Sequence, residues 1–502
     1  MPGSSSNTVL FNSLQFALFF PVVTLLYFAL PHRRRGAMLL AASCAFYMAF
    51  VPAYILVLAV TILIDYVAGI RIEATTGSRR RLWLILSIAS TCAVLFVFKY
   101  FDFFNDTIAL AARAMGMDYA VPALQLLLPV GLSFHTFQSL SYVIEVYAGR
   151  QRAERDFGVY ALYVMFYPQL VAGPIERPQN LLHQFREVHR FDYARVVAGL
   201  QLMAWGLVKK VVVADRLAEL ANRVYDAPAQ HTGLPLIIGT VAFAFQIYCD
   251  FSGYSDIAIG SAQVMGFDLM KNFDRPYAAR GVAEFWRRWH ISLSTWFRDY
   301  VYVPMGGSRV ARPRWYANLF IVFLVSGLWH GARWTFVVWG ALHGAYLIAS
   351  LVSAGVRARL RAASGLERHP ALLRLWQTTA TFTLVGVAWV FFRATSLGDA
   401  WYVVTHLASG LGPQLSAVVA GDPAAIGSLV FLGFEPSKVL LATAAVVALL
   451  IVEHVQGARP ISLRARIAGT RAPLRWAAYA CAVLTIMTLG VFQSARFIYF
   501  QF

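Results

Sequence analysis

The chain has 502 residues, 59% of them hydrophobic and 14% charged. A soluble domain carries nearer a quarter charged residues, so this composition cannot cover soluble domains with polar surface, and it excludes disordered, fibrous and disulfide-scaffold classes. Its solvent is largely lipid. The net charge of +18 sits in clusters between apolar runs, the positive-inside bias of cytoplasmic loops, and not on a soluble basic module of the kind that grips nucleic acid. Cys44, Cys92, Cys249 and Cys481 are far apart, with no CxxC or other metal spacing. Neither a metal site nor a disulfide framework is expected.

The first candidate span is Val9 to Leu30, preceded by the uncharged Met1–Thr8 and followed by Arg33-Arg34-Arg35. A signal peptide has cations before a shorter apolar core. The pattern therefore predicts a retained span with its N-terminus outside. Ala37 to Ile70, interrupted at Val51-Pro52, reads as two short spans, and Leu82 to Phe98 then crosses outward. Pro122 to Val146 carries Gly131, His135, Gln138 and Glu145. Such irregular polar segments persist at membrane depth only under protein cover, so a broken or re-entrant element is expected.

Phe157–Val171, Val196–Val213 and Pro235–Gly260 follow as helices, and Trp315–Leu328, Trp334–Val352, Trp376–Phe392, Val439–Val452 and Ala477–Phe492 complete the set. The loop 357–374 is basic, 394–437 has no Lys or Arg, and 459–475 is basic again, the in–out–in alternation that orientation requires. The reading is an all-α polytopic membrane protein with about 11 spans plus re-entrant and interfacial helices. It forms one integral domain over 1–502, with its motif-rich core at 122–347 and C-terminal spans at 376–492.

Residues 271–314 carry nine Lys or Arg against three acids, a net +6. Within them, Val282, Phe285, Trp286, Trp289, Leu293, Trp296 and Tyr300 recur at helical spacing, which predicts an amphipathic helix in or near the interface. His290 borders its apolar stripe. It is either a hydrogen-bonded interfacial histidine or part of a site. His330, in SGLWHGARW, ends an apolar run. A ring nitrogen at that depth is costly unless partnered, and a buried neutral histidine accepts protons at physiological pH. Flanking Gly327 and Gly331 permit a backbone break and close approach of a ligand. The alternative is a core histidine bridging two helices. His343, in WGALHGAY, reads as a structural hydrogen bond. No GxSxG, HExxH, Walker loop or GxGxxG before a helix occurs, which leaves histidine-centred transfer or transport.

Five blocks resemble the membrane-bound O-acyltransferases, above all the bacterial branch that acetylates alginate, peptidoglycan and cellulose: PVGLSFHTFQSLSYVIEVYAG (129–149), AGPIERPQNLL (172–182), QIYCDFSGYSDIAIGSAQVMGF (246–267), NF…FWRRWHISLSTWFRDYVYVPMGG (272–307) and LVSGLWHGARWTFVVWGALHGAYL (324–347). WVFFRA (389–394) and the terminal FIYFQF agree. Glu145 and His135 depart from the residues usual there. The resemblance implies a helical ring around a central tunnel, with His330 as the catalytic histidine and His290 at the second signature position. It also implies substrate contacts from Trp286, Arg287, Trp289, Arg298, Trp329, Asp250 and Tyr254. The implied donor is acetyl-CoA from the cytoplasm, with no other cofactor and no metal. The +6 segment suits its phosphates. The implied acceptor is a secreted or cell-wall polysaccharide, reached directly or through a periplasmic SGNH-type acetyltransferase, from a bacterial inner membrane. D-alanyl transfer to teichoic acid is the alternative within the family. Outside it stand a proton-coupled transporter, disfavoured by the lack of inverted repeats, and an assembly subunit of an exopolysaccharide synthase.

Overall fold

Runs of about 20 apolar residues surrounded by lipid have no water to satisfy their backbone, so each satisfies its own N–H and C=O groups as a helix. The computed structural model bears this out. It describes residues 11–171, 173–458, 469–492 and 498, and among them there are helices and connections but no strand. The extreme N-terminus, Ala172, the basic stretch 459–468 and all of the FIYFQF motif except Ile498 lie outside the described residues.

Among the helices, in chain order, are α1 (Leu14–Ala29), α2 (His32–Met48), α3 (Tyr54–Ala74), α4 (Gly77–Ala114), α5 (Leu132–Tyr147), α6 (Phe157–Met165), α7 (Tyr193–Tyr225), α8 (Leu234–Met265), α9 (Val282–Arg288), α10 (Ile291–Phe297), α11 (Arg312–His330), α12 (Trp334–Val352), α13 (Pro370–Arg393), α14 (Leu397–His406), α15 (Leu411–Val419), α16 (Pro436–Gly457) and α17 (Ala472–Leu489). Eight of them are long and apolar enough to cross a membrane: α3, α4, α7, α8, α12, α13, α16 and α17. Helix α1 is apolar but 16 residues long, and α2 opens on three arginines. The chain is a multi-pass membrane protein.

Two readings change in detail. The break expected within Pro122–Val146 falls before the helix: 117–129 is irregular, and α5 then runs uninterrupted with nearly every side chain buried. The single amphipathic helix expected from Val282 to Tyr300 is two short helices, α9 and α10, interrupted at Trp289-His290.

The chain falls into two units, residues 1–203 with 254–271, and 204–253 with 272–502. In the first, buried polar groups clamp the helices. Asp65 on α3 accepts from Ser87 Oγ at 2.5 Å and Thr91 Oγ1 at 3.2 Å on α4, while Thr61 Oγ1 lies 3.1 Å from His135 Nε2. Glu176, fully buried, receives the Met270 N–H at 2.6 Å and Asn180 Nδ2 at 2.5 Å, so it ties 173–182 to the segment after α8. Glu145 is held by Arg150 Nε at 2.7 Å and Gln179 Nε2 at 2.6 Å.

In the second unit, α11 and α12 pack so closely that small residues are obligatory. A Cβ on Gly327 would lie 2.3 Å from the Phe336 carbonyl oxygen, and one on Gly340 would lie 2.3 Å from that of Phe323. Backbones this close are the usual means of joining helices where lipid removes the hydrophobic drive between them. Lys210, in the π-helical stretch Val208–Ala214, lies 2.7 Å from both Asp215 Oδ1 and Asp250 Oδ1. Lys209 Nζ donates to Ser252 Oγ at 3.0 Å.

Candidate active site

Helix α11 ends at His330 because the chain turns extended at Gly331 before α12 begins at Trp334. The ring is 4% exposed. Its walls are Trp339 of α12 (centroids 4.8 Å), Trp329 (4.9 Å) and Phe392 of α13 (5.5 Å), all edge-on. The glycines beside it do not leave room for a ligand, as their sequence position suggested. A Cβ on Gly331 would strike the Phe336 ring at 2.2 Å, so these glycines admit Phe336 and α12.

Trp339 is fully buried, and its indole N–H finds no acceptor among the described residues. Indole nitrogen is donor only, and a buried donor without a partner costs about 1–3 kcal/mol. Nothing in the sequence pattern singled this residue out, because a tryptophan on an apolar helix reads as packing.

His290 sits in the gap between α9 and α10, fully buried, with φ +43° and ψ +56°. That left-handed conformation is uncommon for a residue other than glycine and clusters at functional sites. The turn is held from Asn272. The Asn272 carbonyl accepts the Ile291 N–H at 2.9 Å, and the Asp274 N–H donates to the Arg288 carbonyl at 2.8 Å, so the two backbone segments bracket the histidine. Asn272 Oδ1 lies 3.2 Å from His290 Nδ1 and accepts from Ser292 Oγ at 2.9 Å and Ser292 N–H at 3.3 Å. Phe251 packs edge-on against the imidazole at 4.6 Å. Burial holds its pKa down at about 3, so the ring is neutral. Asn272 appeared in the sequence only as a letter of the NF motif. Its partnership with a histidine 18 residues on has no periodic signature.

Trp329 joins the two histidines, 6.1 Å from the ring of His290 and 4.9 Å from that of His330. Trp286 packs on Trp339 at 5.7 Å and donates its Nε1–H to His343 Nδ1 at 3.2 Å, a structural hydrogen bond at that histidine. Trp289, 1% exposed, packs on Trp389 at 5.0 Å, which in turn stacks with Trp339 at 6.0 Å. His290, His330, Trp286, Trp289 and Trp329 thus share one aromatic cluster. The other residues expected at the site make separate contacts or are exposed. Asp250 faces Lys210 and accepts the Ile498 N–H at 2.8 Å. Arg298 is exposed and paired with Asp299 at 2.7 Å, Arg287 is exposed, and Tyr254, in the first unit, donates to Asn12 Oδ1 at 3.1 Å. Among the described residues no group of His, Cys, Asp and Glu is placed to hold a metal ion.

Two buried imidazoles and a buried N–H donor among aromatic side chains are groups that can serve proton acceptance and oxyanion stabilisation, the two needs of acyl transfer. The comparisons agree. Residues 156–372, which include both histidines, match the membrane-bound O-acyltransferase family. The chain is 40% identical over 401 residues to the probable alginate O-acetylase of Pseudomonas aeruginosa, covering 79% of this chain and 73% of that one. It is 39% identical to the corresponding protein of Azotobacter vinelandii, covering 79% and 76%. The peptidoglycan O-acetyltransferase of Helicobacter pylori is 34% identical over 442 residues, 81% of each chain.

Proposed function

Because this chain belongs to the membrane-bound O-acyltransferase family, we propose that it takes acetyl from cytoplasmic acetyl-CoA and passes it outward for O-acetylation of a secreted or cell-wall polysaccharide. The polymer is alginate-like, after the substrate in the names of two relatives that it resembles over most of its length. The chain works in the bacterial inner membrane. Delivery to the glycan runs through an extracytoplasmic SGNH-type acetyltransferase that supplies the serine nucleophile.

The observation that carries this reading is His330 enclosed by Trp329, Trp339 and Phe392. His330 takes the proton of the acceptor hydroxyl while its oxygen attacks the thioester carbonyl. The C–S bond breaks, and the proton goes on to the departing CoA sulfur. The Trp339 N–H, buried beside His330, donates to the carbonyl oxygen as negative charge builds on it. His290 orients the reacting groups. Arg287, exposed in the basic segment, meets the CoA phosphates.

The test is glycan-bound acetyl in a strain lacking the gene, complemented with wild type or His330→Ala. The expected outcome is restoration by the wild type only, with both proteins equally abundant in the membrane. Acetylated polymer in the His330→Ala strain rejects the role.

A further inference from the structure

Thr335 is the second residue of α12 and is 2% exposed, yet its hydroxyl has no hydrogen-bond partner among the described residues. A threonine inside a helix ordinarily returns its hydroxyl to a carbonyl three or four residues back. Thr240 and Thr381 do so at 2.7 Å, and Thr443 at 2.9 Å. For Thr335 those positions are Ala332 and Gly331, which precede the helix, and the chain is extended at Gly331. The start of α12 therefore releases this hydroxyl from the backbone.

Trp339 stands one turn further along the same face of α12. Helical side chains lean toward the N-terminus, so its indole lies over the turn that carries Thr335, while its ring meets that of His330 at 4.8 Å. Its N–H likewise has no acceptor among the described residues. Two buried donors thus stand side by side, unbonded to each other, next to His330. Each is costly to bury without an acceptor, and both lie toward the end of α12 where the helix dipole favours negative charge.

We propose that Thr335 is a further catalytic residue, its hydroxyl pairing with the Trp339 N–H as the second donor of an oxyanion hole for the thioester carbonyl. This rests on the acyl-transfer reading and completes its electrostatics. The indole N–H can only donate, and the hydroxyl can rotate to donate beside it. A carbonyl oxygen has two lone pairs, one for each. As the acceptor oxygen adds to the thioester carbon, the C=O electron pair moves onto the carbonyl oxygen and both hydrogen bonds strengthen. When the C–S bond breaks, the pair returns to the carbonyl and both bonds relax. The proton of the acceptor hydroxyl goes to His330 alone, and Thr335 keeps its own.

The experiment uses the full chain and three readouts: glycan-bound acetyl in cells at equal protein level, acetyl-CoA binding to the purified chain in lipid nanodiscs, and melting temperature in detergent. Thr335→Val removes the hydroxyl and keeps the shape. Acetylation is expected to fall roughly 100- to 1,000-fold, with acetyl-CoA affinity unchanged. The melting temperature is expected to hold or rise, because no bond to a described residue is lost and a buried polar group disappears. Thr335→Ser, which keeps the hydroxyl, is expected to recover most of the acetylation. A hydroxyl that only holds the fold together behaves in the opposite way: Thr335→Val then melts lower or fails to accumulate, and either result overturns the proposal. Full acetylation by Thr335→Val, or an equal loss in Thr335→Ser, overturns it as well. Failure of the acyl-transfer reading shows in the wild type, as a chain that neither binds acetyl-CoA nor acetylates glycan, whereas failure of the Thr335 role shows only in the variants.

Discussion

The indole N–H of Trp286 on α9 points at Nδ1 of His343 on α12, 3.2 Å away, with both side chains buried. The donor is unambiguous, so His343 is the Nε2–H tautomer, and the bond ties a short helix to one long and apolar enough to span a membrane. Removing either partner strands the other. Trp286→Phe and His343→Leu are each expected to destabilise the protein by about 1–3 kcal/mol, and the double variant by less than their sum. Thermal unfolding in detergent measures this. Glycan acetylation per folded molecule should survive His343→Leu, in contrast to His330→Ala. Additive losses would mean that the two side chains do not communicate.

Trp339→Phe keeps an aromatic wall against His330 but deletes the buried N–H that has no acceptor among the described residues. If that group meets the developing oxyanion, turnover falls on the order of 100-fold while acetyl-CoA affinity changes little. Initial rates over a range of acetyl-CoA concentration separate the two terms. A loss confined to KM would make Trp339 a wall and nothing more.

Much of this was legible beforehand because spanning helices follow from apolar length alone. Trp334–Val352 was readable to the residue, and the interruption near Pro52 correctly separates α2 from α3. The interface segment misled for a physical reason. Helices α9 and α10 each bury aromatics at helical spacing, and the spacing continues across the break. Only the contact from Asn272 and the left-handed φ of His290 show that the helix is cut there. The glycines around His330 were visible, but their purpose was not, since it depends on Phe336 and Gly340 approaching from the next helix. The ion pair of Asp250 with Lys210, 40 positions earlier, likewise has no periodic signature.

The α11–α12 contact predicts a sharp contrast among glycines. Gly327→Ala or Gly340→Ala places a methyl carbon 2.3 Å from a backbone carbonyl oxygen, whereas Gly355→Ala and Gly412→Ala meet nothing within 4 Å. The first pair should cost about 1–3 kcal/mol from overpacking and displace His330, lowering acetylation. The second pair should be neutral in both respects. Four equal melting temperatures would refute the close apposition.

His290 makes stability depend on pH in a stated direction. Its folded pKa of about 3 lies below the ordinary 6.5 of a free histidine, so between those values the unfolded chain binds a proton that the folded one does not. Stability contributed by the neutral ring is complete above about pH 6.5 and declines as pH falls toward 3. His290→Gln, which cannot titrate, should flatten that part of the profile in detergent-solubilised protein. An identical acid limb in wild type and variant would show that another group sets it.

The Lys210 cluster gives the largest expected penalty. Lys210 is 1% exposed and lies against two carboxylates that are themselves at most 4% exposed. Lys210→Met leaves Asp215 and Asp250 facing each other without their cation, which typically costs about 3–5 kcal/mol. Replacing all three by Met, Asn and Asn removes the charges together and should recover much of the loss, because the desolvation of the acids disappears with the lysine. The exposed Arg298–Asp299 pair provides the control: Arg298→Gln should cost no more than about 1 kcal/mol. Membrane-inserted yield and detergent melting temperature report both. If Lys210→Met is as benign as Arg298→Gln, the cluster carries no buried charge.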